Sequence, residues 1–142
     1  MVIHSHKELK KIAKDILDLH PGIIAMSGPL GAGKTTLAKE IAKELGINEN
    51  VISPTYVLET EYKIPGSDKL FIHIDCYRMD SVDELIRLGI KRRIDHGDLI
   101  VVEWADKFPD FFEKYPVTYV NISLTESGDE RVILVTHPWP PS

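Results

Sequence analysis

Apolar positions near the start of the chain recur at helical spacing and then run without interruption. In SHKELKKIAKDILDL, which begins at Ser5, residues Leu9, Ile12, Ala13, Ile16 and Leu17 fall on one helical face. Ser5 followed three residues later by Glu8 has the pattern of a capping box. This predicts a helix that ends near Pro21-Gly22. Ile23-Ile24-Ala25-Met26 is a continuous apolar run closed by Ser27-Gly28-Pro29, as expected of a strand buried on both faces of a parallel sheet. A glycine-rich loop follows. From Lys34 onward, Leu37, Ala38, Ile41, Ala42 and Leu45 return to helical spacing, and Gly46 is a natural stop.

Farther along, Tyr56–Lys63 and Leu70–Asp75 read as strands, joined into an antiparallel hairpin by the turn chemistry of Pro65-Gly66-Ser67-Asp68. Ser81–Leu88 predicts a helix and Leu99–Glu103 a buried strand. Val117–Leu124 with Arg131–His137 predicts a second hairpin around Ser127-Gly128. The expected fold is α/β and three-layered, a mixed, mainly parallel sheet flanked by helices and antiparallel hairpins. No repeat, low-complexity stretch or linker divides the chain, so residues 1–142 are expected to form one domain. The tail Pro138-Trp139-Pro140-Pro141 cannot continue a strand.

Charge narrows the range of partners. With 17 basic and 22 acidic side chains, the net charge of −5 argues against a protein that grips nucleic acid unaided, because the phosphate backbone rewards clustered Lys and Arg. Cys76 is the single cysteine. It excludes an internal disulfide and a Cys-rich zinc site, and it fits a reducing, cytoplasmic setting in which it packs as a small hydrophobe. MVIHSHKELKK meets charge at once, and no apolar run approaches the roughly 18 residues of a membrane span, so neither secretion nor membrane insertion is expected.

The chemistry is carried by Gly28-Pro29-Leu30-Gly31-Ala32-Gly33-Lys34-Thr35, a complete G-x-x-x-x-G-K-[ST] motif between a predicted strand and a predicted helix. Its glycines let backbone N–H groups curl around a phosphate, and the helix dipole favours the anion. Lys34 is placed to reach the β- and γ-phosphates, Thr35 to sit on Mg²⁺, and Thr36 to donate to the α-phosphate. A magnesium shell also needs a carboxylate at a strand end, and two are offered. Leu70–Asp75 and Leu99–Glu103 are both apolar runs that end in an acid. Four apolar residues precede Glu103, the mark of a central strand, so Glu103 is the favoured metal partner and Asp75 the candidate for orienting or activating water. The roles could be exchanged. Ser53-Pro54-Thr55 lies where nucleotide-sensing switch segments occur, and His73 shares a strand face with Asp75, near enough to bond close to the site or to serve as a core histidine.

No Asp has Gly three residues later, and Asn48, Asn50 and Asn121 lack an N-K-x-D context, so guanine specificity has no visible source. A small-molecule or nucleoside kinase would need an acceptor pocket and an Arg-bearing lid, for which RLGIKRR from Arg87 to Arg93 is the one candidate. The same stretch also suits a helix C-terminus. An ATPase that serves a partner protein fits the small size better.

LGAGKTT, SPTY, HIDCYR and VVEW, in that order and spacing, resemble the TsaE family of P-loop ATPases, which function in threonylcarbamoyl modification of adenosine 37 in tRNA (t6A). The resemblance covers Ser5 to about Arg131. It implies a P-loop NTPase-like fold with ATP on Leu30, Gly31, Ala32, Gly33, Lys34, Thr35 and Thr36, Mg²⁺ on Thr35 and Glu103, and Asp75 supporting hydrolysis. It further implies that Ser53-Pro54-Thr55 acts as a switch-like segment and that Trp104 is a functional tryptophan beside the nucleotide. Where the family tends to have a Thr contacting the nucleotide, this chain has Ser5; Arg131 would approach the base, and Tyr56 replaces the more usual phenylalanine. The implied partner is the threonylcarbamoyl-transferase complex of TsaB and TsaD type proteins, reset by the ATP cycle, with tRNA reached only through that complex. Arg78, Arg87, Lys91, Arg92 and Arg93 are candidates for the partner surface or for contact with tRNA held by the complex.

Overall fold

The computed structural model describes residues 2–3, 6–19, 21–29, 33–48, 59–125 and 130–136. Four parallel strands form the centre of one seven-stranded sheet. They are β2 (Ile23–Ser27), β4 (Leu70–Asp75), β5 (Leu99–Glu103) and β6 (Val117–Leu124). Short β1 (Val2–Ile3), β3 (Glu59–Lys63) and β7 (Arg131–Thr136) complete the order β1-β7-β6-β2-β5-β4-β3. β2 pairs in parallel with both β5 and β6, and β5 with β4, while β3 and β7 run antiparallel to their inner neighbours. The apolar runs explain this order, since Ile23, Ile24, Ala25 and Met26 in β2 and every residue of β5 are buried, as both faces of a central parallel strand require.

Helices α1 (His6–Asp18) and α2 (Lys34–Glu44) cover one face, where Ile12, Ile16, Leu37 and Ile41 pack on Ile24, Met26, Phe71 and Val101. The other face is closed by α3 (Val82–Arg87), α4 (Ile90–His96) and α5 (Pro109–Phe112), where Leu85, Ile90, Phe111 and Phe112 pack on Ile23, Ile72, Ile100 and Val102. The three-layer, mainly parallel architecture is as expected. Ser81 and Glu84 form the capping box of α3, a start that the Ser81–Leu88 pattern anticipates.

Several elements depart from the pattern. Gly89, at φ +69, ends α3 and opens α4, so Arg87–Arg93 spans the junction of two helices and is not a single helix end. α5 and β1 have too few residues for periodicity to register. β3 is described from Glu59 onward, so the first part of the expected Tyr56–Lys63 strand, the capping Ser5, the Ser127-Gly128 turn and the Pro-rich tail all lie outside the described residues. No described helix is long and apolar enough to cross a membrane.

Candidate functional site

The site lies at the carboxyl ends of β2, β5 and β4. Register puts Met26, Glu103 and Asp75 side by side on these neighbouring strands, the edge where open α/β sheets hold ligands. The loop leaves β2 through Gly28 at φ +140, where a Cβ would stand 2.1 Å from the backbone oxygen of Ile122. Only glycine passes there. Gly33, at φ +108, caps the start of α2, and the nearest atom to its missing side chain is Nε of Arg131, 3.6 Å from where a Cβ would be. Arg131 therefore stands against the phosphate loop itself.

Lys34 is buried and curls back over the loop, its Nζ donating to the carbonyls of Gly28 at 2.5 Å and Pro29 at 3.1 Å. The same ammonium lies 4.2 Å from the ring centroid of Trp104. Burial pulls its pKa down, and the carboxylates of Glu103, Asp106 and Asp75 oppose that pull. Thr35, one residue on, directs its hydroxyl at both carboxylate oxygens of Glu103, each at 3.4 Å. Thr36 is exposed at the same helix start.

Glu103 is buried at the end of β5 and shares a second hydrogen bond with His73, whose Nε2 stands 2.5 Å from Oε2. His73 is completely buried. Beside it on β4, Asp75 accepts the Tyr77 N–H at 2.9 Å. Burial raises the Asp75 pKa above the ordinary carboxylate value and the charge of Glu103 adds to the rise, against the Tyr77 bond, His73 and Lys34. Cys76 is buried and its thiol pushed up to about 12 by desolvation, in keeping with a packing role.

Trp104 follows Glu103 with φ 61, the one described non-glycine residue in the left-handed region, and its N–H donates to the Met26 carbonyl at 3.1 Å. Its ring meets Tyr77 with centroids 5.0 Å apart. Lys107 holds the Tyr77 turn by donating to the carbonyls of Tyr77 and Met79. Tyr77 falls within the HIDCYR motif, which by itself assigns it no role, and no sequence pattern marks Lys107; the positions of both follow from the approach of β4 and β5.

Lys34, Thr35, Asp75, Glu103, Trp104 and Arg131 are thus brought together, while Ser5, Leu30, Gly31, Ala32, Ser53, Pro54, Thr55 and Tyr56 lie outside the described residues. Arg93 does not belong to the exposed basic group expected of it. It is buried and paired with Glu59 and Glu61 of β3, a bond that raises its pKa, chiefly through Glu59. Arg78, Arg87, Lys91 and Arg92 are exposed. Among the described residues no group of three or more His, Cys, Asp and Glu could hold a metal alone. A hydroxyl at Thr35 and a carboxylate at Glu103 nonetheless fit Mg²⁺, which is commonly bound by one or two protein oxygens together with substrate phosphates and water.

Residues 3–133 match the family model described as threonylcarbamoyl adenosine biosynthesis protein TsaE. The chain is similar to proteins named tRNA threonylcarbamoyladenosine biosynthesis protein TsaE. It is 39% identical over 69% of its length to the protein from Haemophilus influenzae, covering 63% of that protein. It is 37% identical over 76% to the one from Nostoc sp., covering 64%, and 38% identical over 92% to the one from Bacillus subtilis, covering 80%. The chain therefore spans somewhat under two thirds of the length of the first two. Among solved structures it resembles the crystal structure of YdiB from Bacillus subtilis, with a TM-score of 0.70 and 28% identity, over 96% of this chain and 83% of that one.

Proposed function

The chain belongs to the TsaE family, and on that premise we propose that it is a Mg²⁺-dependent ATPase in threonylcarbamoyl modification of adenosine 37 in tRNA. It works by binding and hydrolysing ATP on the threonylcarbamoyl-transferase complex, in the cytoplasm. The carrying observation is the meeting of Lys34, Thr35, Glu103 and Asp75 at the ends of three adjacent parallel strands. Lys34 exchanges the carbonyls of Gly28 and Pro29 for the β- and γ-phosphates, keeping charge-assisted bonds in both states. Thr35 and Glu103 would hold a magnesium ion, which would supply positive charge to the phosphates. Asp75 takes a proton from water as its oxygen bonds to the γ-phosphorus, and the bridging oxygen leaves with ADP. An elevated pKa suits a carboxylate to that role. Arg131, close to Gly33, adds positive charge beside the phosphates.

A net charge of −5 accords with tRNA contact through TsaB and TsaD type proteins rather than by this chain alone. The surface offered to them includes Arg78, Arg87, Lys91 and Arg92. The test is phosphate release by the chain alone, with the transferase complex, and with tRNA added. Strong stimulation by the complex is expected. A phosphorylated acceptor formed in step with ATP loss would instead identify a small-molecule kinase, and tight ATP binding without turnover in every mixture a nucleotide-sensing module.

A further inference from the structure

Among the described residues, two buried side-chain polar atoms near the candidate metal carboxylate have no hydrogen-bond partner, the Nδ1 of His73 and the Oγ1 of Thr60. Buried polar atoms are nearly always satisfied by protein or by an ordered water. Thr60 and His73 are directly opposite in the β3–β4 ladder, so their side chains share a face of the sheet with Cβ atoms about 4.5–5.5 Å apart. That face carries Glu103, whose Oε2 stands 2.5 Å from the other nitrogen of the same ring.

The chemistry of the ring orders these contacts. An ionised Glu103 can only accept, so His73 Nε2 carries the hydrogen, and in the neutral ring Nδ1 is left as a lone pair that needs a donor. A water that accepts from the Thr60 hydroxyl and donates to Nδ1 satisfies both orphaned atoms at once. We propose that Thr60, one buried water, His73 and Glu103 form a positioning relay that fixes the His73 ring with its hydrogen on Nε2 and thereby aims the Glu103 carboxylate at the metal position beside Thr35. His73 is in this account a positioning residue and touches neither nucleotide nor metal. The proposal rests on the reading of Glu103 as a magnesium ligand. Hydrogen-bonding partners behind metal ligands commonly matter 10–100-fold in metal affinity.

The test has two arms. In the first, the histidine rings of the ¹⁵N-labelled protein without nucleotide are observed by NMR, with the His73 signal identified by its loss in His73→Gln. A neutral ring protonated on Nε2 is expected, with the Nδ1 resonance moving in Thr60→Val. A ring protonated on Nδ1, or an unmoved resonance in Thr60→Val, overturns the relay. In the second, Mn²⁺ affinity is measured for the protein–ADP complex. His73→Leu should weaken it about tenfold or more, Thr60→Val less, and His73→Gln, which keeps a donor near the Nε2 position, should recover most of it. ADP affinity without metal should stay within about twofold of wild type in all three. Wild-type Mn²⁺ affinity in His73→Leu, or equal loss in the Gln and Leu variants, overturns the proposal. Failure of the unmutated chain to bind ADP or Mn²⁺ would instead sink the ATPase reading, and the ring measurement, made without either, would still decide the relay.

Discussion

The ammonium of Lys34 lies over the indole of Trp104, 4.2 Å from its centroid, while bonding to the carbonyls of Gly28 and Pro29. The lysine that would serve the phosphates is therefore already partnered without them, by contacts that nucleotide binding must exchange. Lys34→Ala is expected to lower ATP affinity at least about tenfold, because bonds to charged phosphate oxygens should exceed the carbonyl bonds they replace by on the order of 1.4 kcal/mol. The melting temperature without nucleotide should hold or rise, since burial disfavours the charged form. Titration calorimetry and a thermal melt check both. ATP binding is expected to draw Lys34 off the ring, so Trp104 emission should change on ATP addition, with the change persisting in Trp139→Phe and disappearing in Trp104→Phe.

Gly28 is the point where the loop crosses β6. At φ +140 and with only 2.1 Å between a Cβ and the Ile122 oxygen, Gly28→Ala should cost about 3 kcal/mol through backbone strain and overpacking. For a chain of this size that is a fall of roughly 10 °C in melting temperature, readable by calorimetry.

Asp75 should separate stability from turnover. Its folded pKa is raised, first by burial and then by Glu103, so its contribution to stability is present below the unfolded value and is lost as pH rises through the folded one. Asp75→Asn keeps an oxygen for the Tyr77 N–H. It should therefore melt higher than wild type at neutral pH, with the difference closing at acid pH, while ATP turnover falls at least about 100-fold. The acid limb of the wild-type rate profile should lie above the ordinary carboxylate range. Melts across pH and steady-state rates provide the comparison.

Arg93 belongs to the fold and its neighbours to the surface. Breaking its pairing with Glu59 and Glu61 by Arg93→Met should cost about 2–3 kcal/mol, lowering the melting temperature by roughly 7–10 °C. Arg87→Ala and Arg92→Ala should melt within a degree or two of wild type and reduce stimulation of phosphate release by the transferase complex.

The central strands were legible because their burial is written as unbroken apolar runs, and the glycine loop because its chemistry needs those residues at that spacing. RLGIKRR was not legible in the same way. Whether Arg93 faces solvent depends on Gly89 turning the chain and on β3 presenting Glu59 and Glu61 across the sheet edge. His73 was ambiguous between site and core for a related reason, since its partner Glu103 is distant in sequence and reaches it only through the β4–β5 pairing.

By itself the sequence determined the strand–loop–helix unit, the two acids that end apolar runs, and the resemblance to the TsaE family, because each is a local pattern. The sequence already favoured Glu103 over Asp75 as the partner of Thr35, and the structure brings the two together; tertiary structure alone decided that Lys34 rests on Trp104, that Arg131 stands against Gly33 and that Arg93 is spent within the fold. Those relations are distances between residues far apart in the chain, and they are set by strand order and register, which no local period encodes.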